Sequence, residues 1–187
     1  MIYNALNISH EVLKKYIKPG QSVIDATAGN GGDTLLLCEL VGKSGKVLAF
    51  DIQNAAVKNT EKKVCEAGFS DVCKVVLDSH ENMENYAEPE SINAVVFNFG
   101  WLPGGDHDIH TLAASSVAAV KSALKLLKPG GLISLCIYYG KNNGYGEKDA
   151  LLQLISELDF KKYTVMKIDF LNRINDPPFP VFIIKEA

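Results

Sequence analysis

The chain has 187 residues, 47% of them hydrophobic, and a formal net charge of −3 at pH 7, enough for one full core in a single domain over residues 1–187. No apolar run is long enough to span a bilayer and no basic-then-apolar leader follows Met1, so a soluble, cytoplasmic protein with no membrane partner is expected. The acidic balance, with Arg173 as the only arginine, argues against a broad basic face that grips long nucleic acid through its phosphates.

In chain order, Asn4 to Tyr16 reads as an amphipathic helix, with Ala5, Ile8, Val12, Leu13 and Tyr16 near helical spacing and Pro19-Gly20 as its stop. Strand one is Ser22 to Ala26, followed by a helix over Asp33 to Val41. Strand two is Lys46 to Ile52, with a helix from Ala55 to Ala67 behind it. Strand three is Cys73 to Leu77, with a short helix near Glu81 to Tyr86. Strand four, Ile92 to Phe97, is continuously apolar, as a central strand covered on both faces should be. A helix over Thr111 to Leu127 is closed by Lys128-Pro-Gly-Gly131, and strand five runs from Leu132 to Tyr138. A last helix, Lys148 to Leu158, precedes strands at Tyr163 to Phe170 and Val181 to Lys185. No helix separates these two, so they should pair antiparallel. The alternation predicts an α/β fold with a mostly parallel sheet and helices on both faces. Cys38, Cys65 and Cys136 fall in apolar segments and read as buried thiols.

The most specific stretch is Val23-Ile-Asp-Ala-Thr-Ala-Gly-Asn-Gly-Gly-Asp-Thr34, followed by Val47-Leu-Ala-Phe-Asp-Ile-Gln53. A strand enters a glycine turn that opens a helix. A second strand then ends in Asp51, about 20 residues on, where a βαβ unit holds an adenosine by its ribose hydroxyls. The dinucleotide fingerprint wants a third glycine where this chain has Thr34, and Asp33 in the first helical turn would compete with a pyrophosphate. An acid there suits a ligand with no phosphate and a positive charge, S-adenosyl-L-methionine. Asp25 adds negative potential on the same side. A helix-dipole role for Asp33 is compatible with this reading.

Lys128-Pro-Gly-Gly131 and the terminal hairpin resemble the Rossmann-like class I methyltransferase plan, a seven-stranded, mostly parallel sheet with a C-terminal antiparallel hairpin. That resemblance implies cofactor contacts from Asp25, Ala26, Gly29, Asn30, Gly31, Gly32, Asp33, Thr34, Asp51, Ile52, Gln53, Ser79, His80, Asn98 and Gly100.

Asn98-Phe-Gly-Trp-Leu-Pro-Gly-Gly-Asp-His107 follows strand four at the carboxyl end of the sheet, where open α/β sheets bind ligands. A side-chain carbonyl such as that of Asn98 can accept a hydrogen bond from a primary amine and aim its lone pair at a methyl donor. Trp101 can stack on a base or shield a sulfonium, or be a core or rim residue. Asp106, His107, Asp108 and His110 could look like a metal site. In a glycine-led loop before a helix they read better as a cap and a proton acceptor, and no metal is expected. An alkylamine has an unperturbed pKa near ~10, so its neutral form costs about 4 kcal/mol at pH 7 unless the site lowers it. Asp106 or His107 could then remove the proton.

Five segments, Asp25 to Thr34, Phe50 to Gln53, Ser79 to Glu81, Phe97 to Asp106 and Asn175 to Phe179, together resemble the YtqB/MnmM family, whose members carry the label rRNA methylase. The resemblance implies methylation of the amine of 5-aminomethyl-2-thiouridine at the wobble position, with the tRNA anticodon region as partner. It makes Trp101, Leu102, Pro103, Lys141, Arg173, Asp176 and Pro177 candidate substrate contacts. Trp101, His107 and Tyr139-Gly-Lys141 stand where relatives carry Tyr, Lys and His-Gly-His. From residues alone, the Asn172 to Phe179 loop reads equally as a stiff turn between strands. Lysines at Lys14, Lys15 and Lys18 and at Lys161 and Lys162 are solvated ends or a small local patch, which a homodimer would widen into an RNA surface. The rivals are a small-molecule amine methyltransferase, an rRNA methyltransferase, a dehydrogenase and a cofactor-binding module without turnover.

Overall fold

Asn4 opens the first helix, its Oδ1 accepting the Asn7 N–H at 2.7 Å, a side-chain cap that satisfies a donor the helix cannot. The computed structural model describes residues 3–99, 113–139 and 145–187. Gly100, Trp101, Leu102, Pro103, Asp106, His107, Asp108, His110 and Lys141 lie outside the described residues.

In chain order the elements are α1 (Ala5–Tyr16), β1 (Ser22–Asp25), α2 (Gly32–Val41), β2 (Lys46–Asp51), α3 (Asn54–Glu66), β3 (Cys73–Leu77), a 3-10 helix (His80–Asn85), β4 (Ile92–Phe99), α4 (Ala113–Leu126), β5 (Leu127–Ile137), α5 (Tyr145–Ser156), β6 (Tyr163–Lys167) and β7 (Phe179–Lys185). The seven strands form one sheet in the order β3-β2-β1-β4-β5-β7-β6. β1 to β5 pair in parallel, and β7 lies antiparallel between β5 and β6. The expected terminal hairpin is present. Among the described residues no helix is long and apolar enough to cross a membrane.

The strand period of two sorts the core into two layers. Val23, Val47, Ala94, Val96 and Leu132 meet Leu13 and Ile17 of the α1 end, Leu37, Cys38 and Val41 of α2, and Val64 of α3. Ile24, Phe50, Val95, Phe97, Ile133 and Leu135 meet the α4 and α5 layer, including Ala119, Val120, Leu151 and Ile155. Helices therefore cover both faces, as expected.

Four expectations need correction. Asn98 is not in a loop after strand four. It pairs with Cys136 inside β4, which runs on to Phe99 because the β5 ladder continues to Ile137. Lys128-Pro-Gly-Gly131 does not precede strand five but interrupts its ladder. The register jumps from Ile92↔Leu127 to Ala94↔Leu132, and Gly130 takes a φ of 75° that other residues rarely adopt. Cys65 is exposed on α3, whereas Cys38 and Cys136 are buried. The ladder of β6 with β7 also ends at Lys167↔Val181, short of Phe170. Its partner strand begins at Phe179, after two prolines that have no N–H to pair.

Candidate active site

Because side chains alternate along β4, Asn98 faces the same layer as Ala94 and Val96, toward α1 and α2. Its Nδ2 donates to Asp33 Oδ2 at 2.6 Å, and Asp33 Oδ1 lies 2.7 Å from Nε2 of His10 on α1. The Asn98 backbone N–H donates to Thr27 Oγ1 at 2.8 Å. Among the described residues, Asn98 Oδ1 is the buried side-chain polar atom that has no hydrogen-bond partner. Leaving such an acceptor dry and unpaired costs about 1–3 kcal/mol.

Beside this group sits a second acid. Asp25 is fully buried at the end of β1, with Oδ2 accepting from Thr34 Oγ1 at 2.6 Å and Oδ1 from the Thr27 N–H at 3.1 Å. Burial pushes its carboxyl up to about 7, the charge of Asp33 pushes the same way, and the two hydrogen bonds pull against them. The charge of Asp51 adds a smaller push, so three carboxylates share one field at the carboxyl end of the sheet.

The third acid fixes the glycine turn. Asp51 Oδ2 accepts the Gly29 N–H at 2.9 Å, and Oδ1 accepts the Gln53 N–H at 2.8 Å. Thr60 of α3 donates to the Gly29 carbonyl at 3.0 Å. Gly31 caps α2 with a φ of 74°, and a Cβ there would come within 3.0 Å of the Thr60 backbone and hydroxyl. No other residue fits that position without strain.

These parts enclose a cavity of about 350 Å³, lined by the turn residues Ala28, Gly29 and Asn30, by Asp33 and Asn98, and by Phe99, Tyr138, Leu6, Thr27 and Gly32. Its size is that of a small-molecule site. Burial raises the Tyr138 hydroxyl to about 12, with Cys136 and Asp33 adding to the shift, so this side chain stays neutral. The donor set suits a cofactor with a positive charge and no phosphate: the described wall carries one acid, Asp33, two amides, Asn30 and Asn98, and no lysine or arginine.

The predicted cofactor residues fall into groups. Thr27 joins the Asp25–Thr34 pair to the Asn98–Asp33 pair in one hydrogen-bonded unit, and Gly29, Asp51 and Gln53 form another. Asp25, Ala26 and Thr34 are buried, so they shape the turn from beneath. Ile52 is 60% exposed past the end of β2. Ser79 stands at the N-cap position of the 3-10 helix without a side-chain bond to it. His80 lies on the other layer, where Nδ1 donates to the Ala26 carbonyl at 3.1 Å and its ring meets Phe97 and Phe99 edge-on. Burial lowers the His80 pKa, which favours the neutral ring.

Arg173, in the loop between β6 and β7, donates to the Tyr3 carbonyl and stacks over Phe170 at 3.9 Å, so it is braced rather than free. Tyr145 donates to Asp176 at 2.5 Å. Asn175 and Asp176 both take positive φ, a conformation that Asn and Asp tolerate best after glycine. Pro177 follows them and is half-buried. Sequence reading missed His10, Thr27, Leu6, Thr60 and Tyr138. A signal for His10 existed: Leu6, His10, Leu13 and Ile17 recur at helical spacing, and a histidine in an apolar stripe needs a partner.

A family model described as "Putative rRNA methylase" matches residues 47–184. The chain is 37% identical over 188 residues to an Arabidopsis thaliana protein named tRNA (mnm(5)s(2)U34)-methyltransferase, chloroplastic, across 96% of this chain and 68% of that one. The crystal structure of a "putative rRNA-methylase" from Clostridium thermocellum superposes with a TM-score of 0.96 at 42% identity, covering 99% of each chain. A "putative methyltransferase" from Streptococcus mutans, solved in complex with SAH, superposes with a TM-score of 0.89 at 38% identity, again over 99% of each chain.

Proposed function

The chain belongs to the "Putative rRNA methylase" family, and from that premise we propose that it moves a methyl group from S-adenosylmethionine to an amine on tRNA. The acceptor we assign is the primary amine of 5-aminomethyl-2-thiouridine at the wobble position, in the anticodon region. The substrate named for the Arabidopsis relative supports this choice. The observation that carries it is the buried, unpartnered Asn98 Oδ1 on the wall of the cavity.

Asp51 takes the ribose hydroxyls with the lone pairs left after its bonds to Gly29 and Gln53. The turn from Gly29 to Gly32 passes beneath the methionine part, and Asp33 faces its positive charge. When bound, the cofactor supplies an electrophilic methyl group on a sulfonium. Asn98 Oδ1 accepts an N–H of the incoming amine, so the nitrogen lone pair lies in line with that methyl group. Burial disfavours the ammonium form of the amine, which lowers its pKa and frees the lone pair. Asp106 or His107 receives the proton lost on transfer. Trp101, Leu102, Pro103, Lys141, Arg173, Asp176 and Pro177 hold the nucleotide and its strand, with Arg173 as the planar cation for phosphate or a base edge.

The test is mass spectrometry of tRNA nucleosides from a strain lacking this protein. Accumulation of 5-aminomethyl-2-thiouridine, reversed by returning the gene, is the expected result. An unchanged nucleoside profile would overturn the reading.

A further inference from the structure

His10 belongs to no part of the cofactor site argued above, yet it makes one of the shortest contacts in the active centre, 2.7 Å from Nε2 to Asp33 Oδ1. Its side chain is 26% exposed and that of Asp33 10%, so the pair is only partly screened by water. The other oxygen of Asp33 holds Asn98 Nδ2 at 2.6 Å. A carboxylate has only acceptors to offer, so both neighbours must be donors, and the Asn98 amide has one allowed orientation. The reverse orientation would set a carbonyl oxygen against a carboxylate oxygen. This orientation leaves Oδ1 buried and free for a ligand's N–H.

The chain of contacts crosses three elements, α1, α2 and β4. Asp33 alone can rotate about its side-chain bonds. The bond from His10 removes that freedom, and the rigid turn of α1 that carries His10 is itself tied to the sheet by the neighbouring Ser9–Ser134 hydroxyl pair at 2.7 Å. We propose that His10 is a positioning residue for methyl transfer: through Asp33 it locks the Asn98 amide with its carbonyl oxygen presented to the acceptor nitrogen. For the identity of the reaction this inference rests on the function proposed above; for the locked amide it rests on the three contacts alone.

Two measurements on the full chain test it. In the first, protein labelled with 15N-asparagine and saturated with S-adenosylhomocysteine is examined by NMR, with Asn98→Ala identifying the Asn98 side-chain signal. The Asn98 amide protons should exchange with water about 10-fold faster in His10→Ala, the worth of one ordinary hydrogen bond. His10→Gln, whose amide nitrogen can donate from nearly the same place, should restore the slow exchange. Identical exchange in the wild type and His10→Ala overturns the proposal.

In the second, methyl transfer is followed with tRNA from the deletion strain. His10→Ala should lose about 10- to 100-fold in kcat, the usual consequence of a misaimed reactive group. KM for tRNA and Kd for S-adenosylmethionine should stay within about twofold, and His10→Gln should recover most of the rate. Unchanged kcat in His10→Ala overturns the proposal, as does a loss shared equally by kcat and Kd that Gln does not repair. A wild-type protein that leaves this tRNA unmethylated would sink the substrate reading, while the amide exchange still decides whether His10 holds Asn98.

Discussion

Asp51, the last residue of β2, accepts the backbone N–H of Gly29 at 2.9 Å and so ties the end of one strand to the turn that leaves another. The acid read from sequence as a ribose ligand is therefore also the clamp that shapes the floor of the cavity. Asp51→Ala should raise the Kd for S-adenosylmethionine by about 10- to 150-fold, since hydrogen bonds to a charged group are worth about 1.5–3 kcal/mol. Isothermal titration calorimetry checks this, and an affinity equal to that of wild type would remove Asp51 from the site.

Asn98→Ala takes away the one buried side-chain acceptor left unpaired among the described residues. The expected loss is about 100- to 1,000-fold in kcat with cofactor affinity nearly unchanged, the size seen when an aligned polar group is deleted from a reacting centre. Single-turnover transfer alongside cofactor titration separates the two effects.

Much of this site was legible because its parts are local. The turn from Gly29 to Thr34, the acid closing β2 and the alternation of strands with helices each lie within a short stretch, and their geometry follows from glycine conformations and hydrophobic period. The helical stripe marked His10 as needing a partner, but which partner was not legible, because Asp33 is 23 positions away and belongs to another helix. The extent of β4 escaped for a related reason. Asn98 is polar and looks like a loop residue until β5 is seen to run beside it as far as Ile137. Arg173 was named as a candidate substrate contact, but its bracing by Phe170 and Tyr3 depends on a contact between the two ends of the chain.

Stability should carry the signature of Asp25. Its carboxyl sits at about 7 in the folded protein against an ordinary value of 3.8, so between those pH values the folded state holds a proton that the unfolded state has released. Stability from this group is present at low pH and is lost as pH rises through that window. Asp25→Asn, which can still accept from the Thr27 N–H and donate to Thr34, has no such loss. Relative to wild type, the variant should gain on the order of a few kcal/mol from about pH 4 to about pH 7 and level off above. Urea titrations of both proteins across this range provide the measurement, and parallel curves would refute it.

Arg173→Ala should weaken tRNA binding by about 10-fold and reduce the slope of log affinity against log salt by about one, as expected for one lost phosphate contact. Cofactor affinity should not change, because Arg173 is engaged with Phe170 and Tyr3 rather than with the glycine turn. Filter binding at several salt concentrations checks both statements.

The claim at the centre is that a wobble amine meets Asn98 in this cavity. Purified protein and S-adenosylmethionine are to be incubated with tRNA carrying 5-aminomethyl-2-thiouridine, and the nucleosides then read by mass spectrometry. Conversion of that nucleoside to its 5-methylaminomethyl form, and loss of the conversion in Asn98→Ala, is the predicted result. A methyl group appearing on another nucleoside, or none at all while the cofactor binds normally, would contradict it.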